Sequence, residues 1–237
     1  MDSFTDELAE VDSIEVVAAE RPYTAAELDR LGITGIEFAA FSTEHPSGLA
    51  TDLVGVHSPD AHTEPGRLYR VAGRSYFEQL DISKPLPFVD ASVSWVYAEH
   101  LIEHVPLTTS VSWLTEVHRV LRPGGLLRLT TPDLAKYVEG YSEGSKFFAK
   151  HRRRVNLAIG VAPPMPARTA FMFNQIFYLY GHRWLYDLPE LQYVLGRAGF
   201  DPAAVRECGY REGSRPDVAQ LDRTIRNDET IYVEVSR

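Results

Sequence analysis

Cysteine is almost missing from this chain. Cys208 is the single one in 237 residues, so no intrachain disulfide can form, and a reducing compartment, the cytoplasm, is the expected setting. Long apolar runs are missing as well: none approaches the roughly 20 residues that a membrane-spanning helix needs. The opening Met-Asp-Ser-Phe-Thr-Asp-Glu lacks the basic start and apolar stretch of a secretory signal. Positive charge is in deficit, with 24 Lys and Arg against 33 Asp and Glu, a net charge of −9. That balance argues against nucleic acid or an anionic membrane surface as a partner. Internal repeats and low-complexity segments are absent from the sequence. What is present is core material: 44% of the residues are hydrophobic, which suits one large α/β domain and excludes wholesale disorder.

The organising block runs from Asp81 to Leu134. Val93 to Tyr97 alternates β-branched and aromatic residues, which predicts a buried strand. Leu107, Val111, Leu114, Val117 and Leu121 recur at helical spacing. Pro123-Gly124-Gly125 is read as the stop of that helix, and Leu126 to Thr130 as the next strand. Strand, helix, strand makes a βαβ unit with parallel strands. Upstream, Ile36–Phe41, Gly48–Leu53 and Tyr76–Ile82 read as the first three strands. Downstream, Val205–Tyr210 and Thr230–Val235 read as the last two. Thr24 and Glu27 have capping-box spacing, and Gly32 follows Leu31, so a helix is expected from about Ala25 to Leu31. Asp187 and Glu190 repeat the signal ahead of an amphipathic helix from Leu188 to Ala198.

Other segments read more plainly. Met1 to Arg21 is expected to be a solvated arm outside the sheet. His57 to Gly66 reads as a polar loop whose two histidines are solvated. Arg67 to Arg74 reads as decoration on a helix, and Lys150 to Arg154 as a solvated helix face. The aromatic Ala170–Tyr180 stretch is a packing helix or a pocket wall.

Several quoted patterns together are specific. Leu86-Pro87-Phe88-x-Asp90, a strand ending in Glu99-His100, a helix closing on Arg119-Val120-Leu121-Arg122-Pro123-Gly124-Gly125, and a strand running into Thr131-Pro132-Asp133-Leu134 resemble class I S-adenosylmethionine-dependent methyltransferases. Glu99-His100-x-x-Glu103-His104 and the later Phe173-Asn174…Gly181-His182…Tyr186-Asp187 resemble a narrower bacterial group with small-molecule acceptors. The resemblance implies an α/β, Rossmann-like, mostly parallel seven-stranded sheet over residues 33–237, preceded by an arm and helix over 1–32. It also implies a helical lid at about 140–187, before the sixth strand. S-adenosylmethionine is the implied cofactor. A small molecule bearing a hydroxyl or amine is the implied acceptor, and a homodimer is compatible with it.

The resemblance carries residues with it. The first strand should lead into a glycine-rich turn that lets the backbone approach the cofactor. If Glu37 matches the family's acid, Ala39 and Phe41 stand where those glycines are expected. Asp52, with Leu53 beside it, matches the acid that binds ribose hydroxyls, and Asp81 with Ile82 matches the adenine contacts. Glu99 lies at the same edge. His100 is the expected general base, because imidazole titrates near neutrality. His104, His182 and Tyr186 are reserve candidates for proton transfer. The same run also fits the His-x-x-Glu-His spacing of zinc hydrolases. The flanking blocks point to methyl transfer instead, and no metal is expected. Loss of the glycines keeps a rival open: the same fold used for a cyclisation, elimination or rearrangement, or for binding alone.

Overall fold

The computed structural model describes residues 9–40, 45–73, 75–143, 146–158 and 164–237. Its strands are β1 (Ala9–Glu10), β2 (Ile14–Val17), β3 (Gly35–Phe38), β4 (Gly48–Asp52), β5 (Val56–Ser58), β6 (Ala61–His62), β7 (Leu68–Val71), β8 (Ser75–Gln79), β9 (Val93–Glu99), β10 (Leu121–Pro132), β11 (Arg206–Cys208) and β12 (Thr230–Ser236). Its helices are α1 (Ala25–Leu31), α2 (Leu107–Val120), α3 (Leu134–Glu143), α4 (Lys146–Ala158), α5 (Thr169–Tyr178), α6 (Leu188–Arg197) and the short α7 (Pro216–Ala219).

The main sheet has nine strands in the order β11-β12-β10-β9-β3-β4-β8-β7-β2. Its five central strands, β10, β9, β3, β4 and β8, run parallel, and both edges are antiparallel. This is the Rossmann-like α/β arrangement of class I methyltransferases, with two strands more than the expected seven. The extra pair is β7 and β2. Residues 14–17 were expected in a solvated arm but pair with 68–71, because Ile14 and Val17 complete the apolar edge. Residues 68–71 are strand rather than helix, with Leu68, Tyr69 and Val71 buried. The expected loop at 57–66 contains a hairpin in which His57 and His62 face each other across the ladder.

Period-2 alternation decides which side each residue of β9 covers. Val96 and Ala98 join Leu28 of α1, Trp113, Leu114 and Val117 of α2, and Leu191 and Val194 of α6 in the main core. Trp95 and Tyr97 point to the other side and pack with Leu126 and Val218. Gly35 on the neighbouring strand is required there, because a Cβ would sit 2.0 Å from the Trp95 ring. A second apolar cluster, including Tyr137, Phe148, Met172 and Ile176, lies among α3, α4 and α5, the helices in the region where a lid was expected.

Two local readings change. α2 stops at Val120, and the chain enters β10 at once. Pro123-Gly124-Gly125 therefore lies inside a break in register between Leu121 and Leu126, with Gly124 at φ 76°. The connection from β3 to β4 holds only residues 39–47, nine residues, fewer than the dozen or more a helical crossover takes. His45 anchors its end by packing tilted against Trp95, 4.6 Å between ring centres, and by lying 3.1 Å from Asp217 of α7.

Candidate active site

The site is built where β9 ends. Glu99 is its last residue, and His100 follows in the left-handed region at φ 51°, which turns the chain sharply over the sheet edge. His100 N–H donates to Thr130 C=O at 2.9 Å and holds that turn against β10. The imidazole is buried. Its Nε2 is 2.8 Å from Thr230 Oγ1 and its Nδ1 is 3.2 Å from Glu103 Oε1. Glu103 is 0% exposed, and its Oε2 accepts from Thr131 at 3.0 Å. Burial pushes its carboxyl upward, yet the hydrogen bond to His100 and the surrounding imidazoles outweigh burial and hold it at about 2.

The second motif block closes on the first. Arg183 N–H and Trp184 N–H both donate to Glu103 C=O, at 2.7 and 3.3 Å. His182 and His104 meet edge to face, with ring centres 4.8 Å apart. Desolvation lowers the His182 imidazole, and His104 shifts the same way despite its exposed edge. His182 Nδ1 lies against Ile176 C=O. Tyr186 does not join the group. It is buried in the main core, its hydroxyl donates to Ser110 at 2.9 Å, and it pairs with Asp133 to seat the lid's start. Asp133 caps α3 by accepting from Ala135, and Asp187 caps α6 by accepting from Glu190, as their spacing predicts.

A polar network under the lid was not visible in sequence. Tyr137 donates to Glu229, His151 Nε2 is 3.2 Å from the same hydroxyl, and Gln175 reaches His151 at 3.2 Å. Arg154 pairs with Glu229 at 2.8 Å and with Asp228. The basic run at 150–154 is therefore not a solvated face throughout, since His151 is 1% exposed. Burial opposes ionisation of Glu229, but the charges of His151, His100 and Arg154 lower its carboxyl overall; its chain neighbour Thr230 reaches His100 at 2.8 Å, which joins this network to the turn. These residues come from α3, α4, α5 and the approach to β12, and no motif spacing links them.

The other side of the edge holds the residues expected to contact a nucleoside. Asp52 ends β4, half-buried, with Oδ1 accepting from Val54 N–H at 3.1 Å; burial raises its carboxyl. Leu53 beside it is 64% exposed. Asp81 is exposed and accepts from Ser83 N–H at 2.8 Å, with Ile82 next to it half-buried. Ala39, at the end of β3, has φ 57°, the left-handed conformation that a glycine would adopt freely. Phe41 lies outside the described residues. The polar segment 211–229 reads from sequence as a loop with a short helix, as α7 bears out, but nothing in that reading assigns it a place at the site, where it brings Arg223 to this edge. Glu99 accepts from Arg223 N–H at 3.2 Å and lies 3.2 Å from its Nε. The Arg223 charge also bears on Asp52. Glu37, Asp222, Arg223 and Thr224 line a cavity of about 370 Å³ here.

The profile described as "Methyltransferase domain" matches residues 42–129. That span covers the crossover into β4 through to β10, the strands that carry Asp52, Asp81 and His100. Residues 42–129, rather more than a third of the chain, are thus similar to the methyltransferase domain family. No curated protein matches the sequence significantly. Among solved structures, a methyltransferase from Archaeoglobus fulgidus is 11% identical, covering 90% of this chain and 92% of that one at TM-score 0.45. One from Mesorhizobium loti is 17% identical, covering 89% and 95% at TM-score 0.45. The CurJ carbon methyltransferase is 14% identical at TM-score 0.43, and this chain spans 48% of its length. At these values the superpositions carry no argument; the match over residues 42–129 and the strand order point to the methyltransferase fold.

S-adenosylmethionine is the cofactor that the methyltransferase family implies, and the donor set fits it. Were it bound, the Asp52 carboxylate would suit ribose hydroxyls, exposed Leu53 and half-buried Ile82 would suit adenine, and Arg223, paired with Glu99, would lie at the charged end.

Proposed function

We propose that the chain transfers a methyl group from S-adenosylmethionine to a hydroxyl or amine of a small molecule, with His100 as general base. The observation that supports this most is the His100–Glu103 pair, buried at the carboxyl end of β9, one residue from the acid that meets Arg223. Open α/β sheets take ligands at that edge. When bound, the cofactor supplies an electrophilic methyl on a sulfonium; the residues of the chain hold, orient and deprotonate.

Glu103 Oε1 faces Nδ1 at 3.2 Å and favours the proton there, which leaves Nε2 as the nitrogen that takes a proton. Thr230 Oγ1 is 2.8 Å from Nε2 and 2.6 Å from Arg226 C=O, so its one hydroxyl proton has two acceptors. Rotation of that hydroxyl towards Arg226 frees the Nε2 lone pair for an acceptor's proton. Glu229, next to Thr230 in the chain, is tied to Tyr137 and Arg154, which fixes this corner beside His100. Positioning supplies most of the rate, and a histidine base adds about 10²–10⁴-fold. A cytoplasmic setting and a homodimer belong to the same reading, the latter open to sedimentation measurements.

One observation favours a second reading, the same fold with no methyl transfer. Only nine residues join β3 to β4, and Ala39 and Phe41 stand where glycines were expected, Ala39 in a left-handed conformation. Isothermal calorimetry with S-adenosylmethionine and S-adenosylhomocysteine separates the two. Binding at micromolar concentration supports the first; no heat at millimolar concentration rejects it.

A further inference from the structure

We propose that Glu103, His104 and His182 bind one divalent transition-metal ion of zinc's class beside the acceptor corner. One donor atom from each side chain lies within 4.8 Å of the others. The donors come from two distant segments, the turn after β9 and the turn at Gly181, which is left-handed at φ 71°. Backbone hydrogen bonds from Arg183 and Trp184 to Glu103 C=O clamp those segments together.

The tautomer of His182 suits a ligand. Ile176 C=O can only accept, so Nδ1 facing it carries the proton and Nε2 keeps its lone pair. Metal-binding histidines are commonly oriented in this way, by donating their other nitrogen to a backbone carbonyl. Glu103 supplies the charge. It is fully buried, and Oε1 has no well-formed hydrogen bond; among the described residues its ion-pair partner is His100, with no lysine or arginine in reach.

Two imidazoles and one carboxylate suit zinc, iron, nickel or copper rather than magnesium or calcium, which prefer all-oxygen shells. Tetrahedral bonds of about 2.1 Å set donors roughly 3.4 Å apart, so the group contracts on binding. His104, which is exposed, is free to turn inward, while Glu103 forms the floor and half-buried His182 the wall. Three protein donors leave a fourth position for water or an acceptor oxygen. A role for that position in the reaction rests on the methyl-transfer reading; metal binding itself does not.

The test uses the full chain, stripped with a chelator and titrated with Zn²⁺ and, separately, Co²⁺. One equivalent of zinc per chain is expected, with a cobalt visible spectrum that zinc abolishes. His104→Ala and His182→Ala should each weaken binding by about tenfold or more, while His62→Ala, on the exposed β6, leaves it unchanged. Less than about a tenth of an equivalent bound, or full affinity in both variants, overturns the proposal. If either variant fails to fold, the native cobalt spectrum decides: weak, aqua-like absorption rejects the site. Zinc binding without S-adenosylmethionine binding would sink the methyl-transfer reading and leave this one standing, and the reverse result would do the opposite.

Discussion

At the scale of single residues, His100 carries the sharpest expectation. His100→Ala should lower kcat by about 10²–10⁴-fold with S-adenosylmethionine affinity unchanged, measured by steady-state kinetics and calorimetry. An unaltered kcat would remove it as the base. Ala39 tests the backbone. Its φ of 57° costs a non-glycine residue about 1 kcal/mol, so Ala39→Gly should raise the denaturation midpoint despite glycine's greater freedom when unfolded. No gain, or a loss, would mean that the turn is relaxed with alanine.

Glu78 provides a pH signature distant from the proposed metal ligands. It is 0% exposed on β8 and pairs with Arg21 at 3.0 Å. Burial raises its carboxyl to about 7, against a smaller opposing effect of Tyr23 and Arg21. The folded chain thus holds a proton between about pH 4.5 and 7 that the unfolded chain releases. Stability should fall as pH rises through that window, by about 3 kcal/mol at most, at about 1.4 kcal/mol per pH unit. Urea denaturation across pH 4.5–8 should show this slope, and Glu78→Gln should flatten it.

At the scale of elements, the segment from Gly209 to Asp222 is the part to watch, because it leads to Arg223. Arg128 of β10 is fully buried and uses all five donors on it and on β12: Asp222 at 2.9 and 2.6 Å, Glu234 at 2.8 Å, and the carbonyls of Glu212 and Gly209 at 3.0 and 3.1 Å. Arg128→Met leaves two buried carboxylates without a counter-charge and should cost about 3–5 kcal/mol. Arg128→Met with Asp222→Asn and Glu234→Gln should recover much of that loss in thermal melts. Equal destabilisation of the single and triple variants would show that the hydrogen bonds, not the charges, hold the segment. The elements differ in how legible they were. α1 and α6 were read correctly from Thr24, Gly32 and Asp187, since caps act within a few residues. The strand at 68–71 was misread, since Leu68, Tyr69 and Val71 fit a short strand or a helix equally well, and only pairing with β8 and β2 decides.

At the scale of the whole molecule, no helix among the described residues is long and apolar enough to cross a membrane. The sequence by itself determined the βαβ core, the parallel centre of the sheet, the caps and the place of His100 at a strand's carboxyl end, because these follow from periodicity and from motifs a few residues long. It also marked Glu103, His104 and His182 as chemistry-bearing, though in two separate blocks. The tertiary structure alone decided that these blocks meet at one corner, that Tyr186 turns into the core, and that β2 extends the sheet. It alone brought Arg223 to Glu99 and gathered Tyr137, His151, Gln175 and Glu229 under the lid. Those pairings join residues up to 124 positions apart, as Glu99 and Arg223 are. No local spacing encodes such contacts; they arise when burial of distant apolar faces brings polar groups together and leaves them to satisfy one another.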